Sequence, residues 1–234
     1  MTEIAVVNER TSGWTRLDDL PGEIPSRAWE IDAWTSVDGR VTTGLWRREP
    51  DTWAFERPHD EVALILSGAA EIVTDDVRVL SLGPGAVLTT PMGSKGTWRI
   101  TETLTKFFAT YAHDEPPTNP QASMVASEAE LAWSVLDNPP GDTNPPGEEV
   151  VVSRSADGRF VTGFWRRGPE TGAFEREYDE IAILQEGEVD FAGADGRSLA
   201  VGPGDVLVTP LGASGVWRAR SAVRKFWVVY HSER

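Results

Sequence analysis

Two short segments hold most of the residues that could do chemistry in this chain. They read TGLWRREPDTWAFERPHDE at 43–61 and TGFWRRGPETGAFEREYDE at 162–180. Each ends in a glutamate, Glu61 or Glu180, preceded by a run of Arg, Glu and aromatic side chains. A glutamate beside an arginine can hold an anion site or, with its proton affinity tuned, act as a general acid or base. In the first segment Glu56, His59 and Glu61 could offer a mixed oxygen and nitrogen donor set to a divalent ion. The alternative is that His59 sits in a polar turn ahead of a strand. The chain has ten tryptophans, several followed directly by arginine, as at Trp46-Arg47, Trp98-Arg99, Trp165-Arg166 and Trp217-Arg218. Such pairs can wall a pocket for a planar ligand with cation–π support, or can serve core and dimer-interface packing.

Composition removes several classes of chemistry. With no cysteine, there are no disulfides, iron–sulfur clusters, thiolate zinc sites or cysteine nucleophiles. The formal net charge of −15, with no basic stripe, argues against nucleic acid and anionic membrane surfaces as partners. No apolar stretch approaches a membrane span and the first residues lack a secretory pattern, so a soluble cytoplasmic protein is expected.

The residues above are positioned by an internal duplication. Trp165 follows Trp46, Glu180 follows Glu61 and Lys225 follows Lys106, each at a distance of 119 residues. SLGPGAVLTTPMGSKGTWR at 81–99 returns as AVGPGDVLVTPLGASGVWR at 200–218. Trp14, Leu17 and Asp18 match Trp133, Leu136 and Asp137 in the lead-ins. Two domains are expected, 1–116 and 117–234, joined through the Pro-rich DEPPTNPQA at 114–122.

Each repeat reads as short strands. EVALIL, AEIV, VRVLSL, AVLTTP, TWRIT and KFFATY are separated by turn signals such as Ser67-Gly68, Asp75-Asp76, Gly83-Pro84-Gly85 and, in the second repeat, Asp195-Gly196. An all-β chain follows, either a closed barrel or jelly roll, which leaves no exposed edges, or a β-sandwich.

The spacing from Glu61 to Gly68, then Gly85, Pro91 and Gly93, repeated as Glu180, Gly187, Gly204, Pro210 and Gly212, resembles the two sequence motifs of the cupins. With the tryptophan–arginine segments and a late Lys-Phe, the chain is most similar to the ethanolamine-utilisation-type cupins, related to ureidoglycine aminohydrolase. The resemblance implies two tandem cupin barrels, and with them a monomer or a homodimer of bicupins. It also implies where a metal would sit, and there the chain departs from the pattern. With three residues before the glutamate the first-motif histidine slots hold Phe55 and Arg57, or Phe174 and Arg176, and with four they hold Ala54 and Glu56, or Ala173 and Glu175; the second-motif slot holds Gly96 or Gly215. Only three histidines exist, so no metal or other cofactor is expected.

In the three-residue register Phe55, Arg57, His59, Glu61 and Trp98 gather at one barrel mouth and Phe174, Arg176, Tyr178, Glu180 and Trp217 at the other. Two readings stay open. One is a metal-independent module that binds a small, anionic or planar organic ligand. The other is a metal-independent isomerase, epimerase, dehydratase or hydrolase with Glu61 or Glu180 as acid or base and Tyr178 steadying developing charge. Because Trp53, His59 and Lys95 are replaced by Gly172, Tyr178 and Ser214, the two pockets should differ in size and charge.

Overall fold

A computed structural model describes residues 4–17, 27–113, 122–138, 146–194 and 196–232. The linker 114–121, Asp18 and Asp195 of the expected turn lie outside the described residues. Apart from a single 3-10 turn at Glu128–Glu130, the described secondary structure is antiparallel β. The chain divides into two compact units, one of residues 9–130 and the other of 131–234 together with 1–8.

The unit of residues 9–130 is organised by two long strands, Asp60–Thr74 and Lys95–Tyr111, which pair with each other along their length. At one end they are flanked by Ala86–Thr90 and Met124–Ser127 on one side and by Val41–Arg48, Ala28–Thr35 and Thr15–Arg16 on the other. At the other end they carry Asp51–Glu56 and Val79–Leu82. The pairing slips between Ile65 and Ala70, where the strands pass from one sheet direction to the next. Gly68 makes that step possible. Its φ is +86°, and a Cβ there would lie 2.2 Å from the Thr103 carbonyl oxygen. The motif glycine is therefore structural.

The second unit repeats this plan with the long strands broken in two. Asp179–Glu186 and Val223–Tyr230 belong to a seven-stranded sheet, while Val189–Gly193 and Ser214–Ala219 belong to a four-stranded sheet with Glu170–Glu175 and Ser198–Val201. The interior between the sheets is apolar, with Phe191, Leu184, Val201 and Trp217 in this unit and Ile65, Ile72, Leu88 and Trp98 in the other. Strands apolar on both faces, such as EVALIL, are covered on both sides.

One feature departs from the division at 116/117. Ala5–Val7 pairs with Val206–Val208 of the second repeat, and Met124–Ser127 pairs with Ala86–Thr89 of the first. Met124 is the counterpart of Ala5 at the 119-residue offset. Each repeat thus gives its leading strand to the sheet of the other. Segments of three or four residues carry no sequence signal for which sheet edge they join, because edge pairing is made by backbone groups rather than side chains.

Candidate functional site

In each unit the site begins with a buried glutamate. Glu61 opens the strand Asp60–Thr74 and is 6% exposed, and Glu180 opens Asp179–Glu186 and is 5% exposed. Two cations come from neighbouring strands. Arg57, just beyond Asp51–Glu56, places its guanidinium Nη1 3.0 Å from Glu61 Oε2 and donates from Nη2 to Oε1 at 3.1 Å. Its Nε donates to Thr90 Oγ1 at 3.0 Å, which fixes the rotamer. Lys106, in the long strand paired with that of Glu61, donates from Nζ to Glu61 Oε1 at 2.6 Å.

The other unit reproduces the arrangement. Arg176 Nη2 donates to Glu180 Oε1 at 3.2 Å and Arg176 Nε to Thr209 Oγ1 at 3.0 Å. Lys225 Nζ lies 2.5 Å from Glu180 Oε1. Burial alone would raise the glutamate pKa, but the adjacent cations outweigh it. Arg57 and Lys106 hold the Glu61 carboxyl at about 2, and Lys225 and Arg176 pull Glu180 below its ordinary value. Burial and the neighbouring Arg shift both lysines down, against the pull of their carboxylates. Each cluster is two cations around one carboxylate.

The lysines were not among the site residues expected from sequence. A signal existed: Lys106 and Lys225 stand at the same repeat position in the runs LTKFFATY and VRKFWVVY, and a charge facing the interior there must be paired if the strand is buried. Glu30 was also missed. It faces the first cavity, forms a side-chain hydrogen bond with Asp32, and is raised to about 7 by burial and then by Asp32.

Each cluster lies in a cavity. In the first unit the volume is about 410 Å³, walled by Trp46, Trp53, Trp98 and Phe108, with Arg57, His59, Glu61 and Lys106 also on its lining. In the second it is about 820 Å³, with Arg176, Tyr178, Glu180, Trp217, Trp227 and His231 among its lining residues. The expected difference in size is present. Phe174 lines its cavity, but Phe55 does not: it packs over Gly96 and against Trp98, with the Arg57 guanidinium carbon 4.9 Å from its ring. His59 is half-buried on the first cavity wall, its pKa lowered by burial. Tyr178, its counterpart, meets His231 edge-on at 5.5 Å, and burial followed by the Glu180 charge raises its phenol pKa.

These residues do not fit a metal centre. The only carboxylate at the cupin ligand positions of each barrel is already held by an Arg and a Lys. A histidine at 96 is sterically barred, because a Cβ there would lie 2.6 Å from the Val73 carbonyl oxygen. At 215 it would lie 2.3 Å from that of Ala192. Glu56 is exposed and ion-paired to Lys95 at 3.0 Å, on the opposite face of its strand from Phe55, so it does not join His59 and Glu61. Among the described residues no three His, Asp or Glu converge as metal donors.

The EutQ-like cupin domain family matches residues 35–108 and again 154–227, more than half of the chain. The protein belongs to the EutQ-like cupins. It is a tandem cupin, each match spanning one of the two buried-glutamate clusters. Its fold is similar to a protein of unknown function of the DUF861 family from Pseudomonas syringae pv. tomato, with a TM-score of 0.78 at 16% identity over 98% of this chain and 100% of that one. Protein Ylba from E. coli, also of the DUF861 family, gives 0.73 at 11% identity over 100% and 93%. An oxalate decarboxylase from Lactobacillus farciminis gives 0.61 at 9% over 97% and 86%. At these identities the likeness is one of fold. No curated protein matches the sequence. Among the described residues no helix is long and apolar enough to cross a membrane.

Proposed function

We propose that this bicupin binds a small organic anion, without a metal, and that the larger second cavity is the principal site. The observation that carries this reading is the charge balance within each cluster: two cations face one buried carboxylate, so each cluster keeps one unit of positive charge on the cavity wall. An isolated buried cation is costly, and an incoming carboxylate or similar anion offsets that cost while gaining charge-assisted hydrogen bonds. The Arg–Thr hydrogen bond pre-orients the guanidinium, so little side-chain freedom is lost on binding.

The same balance weighs against acid–base catalysis by the glutamates. A general acid or base works best with a pKa near the operating pH. With Glu61 held at about 2 and Glu180 also lowered, neither carboxyl retains a proton at neutral pH and both are weak bases.

Isothermal titration with carboxylic acids and their neutral amides tests the proposal. The acids should bind and the amides should not, and Arg176→Gln should weaken acid binding at least tenfold. Equal binding of acid and amide, or no binding of any carboxylate, would overturn it.

A further inference from the structure

The two cavities differ at one wall position in a way that gives the ligand a shape. In the first unit Trp53 fills part of the cavity. Its ring lies 5.8 Å from that of Trp98 with the planes only 8° apart, and the Arg48 guanidinium carbon sits 4.0 Å from the Trp53 centroid. The barrel thus holds a flat bicyclic ring between its own tryptophan and arginine. The second unit keeps both holders. Trp217 is the counterpart of Trp98 and Arg167 that of Arg48, and both line the cavity. The ring itself is missing, because position 172 is glycine. A Cβ at Gly172 would meet nothing within 4 Å, so the wall is open at that position, and Trp165 stands edge-on to Trp217 at 5.8 Å beside it. The second cavity has twice the volume of the first.

A second wall position also differs. Asp32, which hydrogen-bonds Glu30 beside the first cavity, is matched by Val151, a 45%-exposed apolar side chain lining the second. The second cavity therefore gains apolar surface at this position, while Glu149 and Glu170 join Glu180 on its lining. Lys225 Nζ stands 5.8 Å from the Trp217 centroid, so the cationic cluster borders the vacant slot.

We infer that the second barrel takes an aromatic carboxylate, its planar ring against Trp217 and Arg167 in the space that Trp53 fills in the first barrel, and its carboxylate turned to Arg176 and Lys225. The inference rests on the reading of the pocket as an anion site and adds the ligand's chemical class and the barrel it enters. Aromatic rings favour stacking on indole and guanidinium faces over saturated rings of the same size.

The test uses indole-3-carboxylate, cyclohexanecarboxylate and acetate on the full chain. The first two are followed by isothermal titration, and acetate by the shifts of the tryptophan indole N–H resonances. Wild type should bind one equivalent of indole-3-carboxylate at least tenfold more tightly than cyclohexanecarboxylate. Gly172→Trp should lose that binding while still responding to acetate, with Gly172→Phe as the smaller plug if the first variant does not fold. Trp53→Gly should add a second equivalent by opening the first barrel. If acetate binds but the aromatic and saturated acids bind alike, or if the plugged variants bind indole-3-carboxylate as wild type does, the slot is refuted and the anion reading stands. If no carboxylate binds, acetate included, both fall together.

Discussion

Lys225 Nζ lies 2.5 Å from Glu180 Oε1, with both side chains less than a tenth exposed. Lys106 and Glu61 repeat the contact at 2.6 Å in the other unit. A buried ion pair is a weak source of net stability, since desolvation consumes much of the attraction. Deleting one partner is nevertheless expensive, because the other charge is left stranded.

Lys225→Met should destabilise the second unit by about 1–3 kcal/mol, less than a fully stranded charge costs, because Arg176 still pairs with Glu180. Combining it with Glu180→Leu should cost clearly less than the two single losses added together, because Glu180→Leu alone leaves Arg176 and Lys225 both without their carboxylate and the double variant leaves only Arg176. Urea denaturation of the four proteins of this cycle measures the coupling. Additive losses would mean that the pair is solvated.

Acid should act through Glu61. Its folded pKa of about 2 lies below the ordinary value of 4.5, so its contribution to stability is complete above pH 4.5 and is lost as pH falls toward 2. Glu61→Gln should be less stable than wild type at pH 6, and the gap should narrow steadily below pH 4.5. Urea midpoints taken at several pH values follow this, and a gap that stays constant down to pH 2 would contradict it.

Glu30 should act in the opposite sense. Its folded pKa is raised from 4.5 to about 7, so the folded state keeps a proton that the unfolded chain releases, and stability drains away as pH rises between those values. Glu30→Gln should match wild type near pH 4 and exceed it at pH 8. Thermal melts at the two pH values compare them directly.

Steric exclusion at the former histidine slot separates two glycines of one barrel. Gly215→Ala should cost about 1–3 kcal/mol, because its methyl must displace the Ala192 carbonyl. Gly172→Ala enters open space and should be neutral or stabilising by about 0.4–1 kcal/mol through the unfolded state. On the metal-free reading, chelator should leave the melting temperature of wild type unchanged, and elemental analysis should find less than a tenth of an equivalent of transition metal. One equivalent lost on Glu61→Gln would reverse that reading.

The duplication, the strand character and the glutamate–glycine frame were legible because each is written in residue types at fixed intervals. Arg57 and Glu61, and Arg176 and Glu180, could be brought together on paper because they share a motif and lie four residues apart. Lys106 could not be joined to Glu61 in that way. The two are 45 residues apart in the chain, and only the register of the two long strands makes them neighbours. Glu30 lies in a lead-in with no motif, and its proton affinity depends on Asp32 across the same strand face and on burial by other strands. The vacant slot was half visible: the Trp53-to-Gly172 change was plain, but that Trp53 lies flat on Trp98 is a matter of side-chain packing.

The exchange of leading strands has a consequence for how the chain is made. Ala5 pairs with Val208, so the earlier segment waits about 200 residues of synthesis for its hydrogen-bonding partner. Until then the amides and carbonyls of Ala5–Val7 have only water or a stray sheet edge to satisfy them. The first repeat completes its sheet earlier, since Ala86–Thr89 needs only Met124–Ser127. Synthesis therefore imposes an order: the first unit can finish while the second is still being translated, and the sheet of the second closes only when Ala5–Val7 meets Val206–Val208. A ribosome paused once Ser127 has emerged would display a finished first unit with Ala5–Val7 still unclaimed, a natural handle for a chaperone.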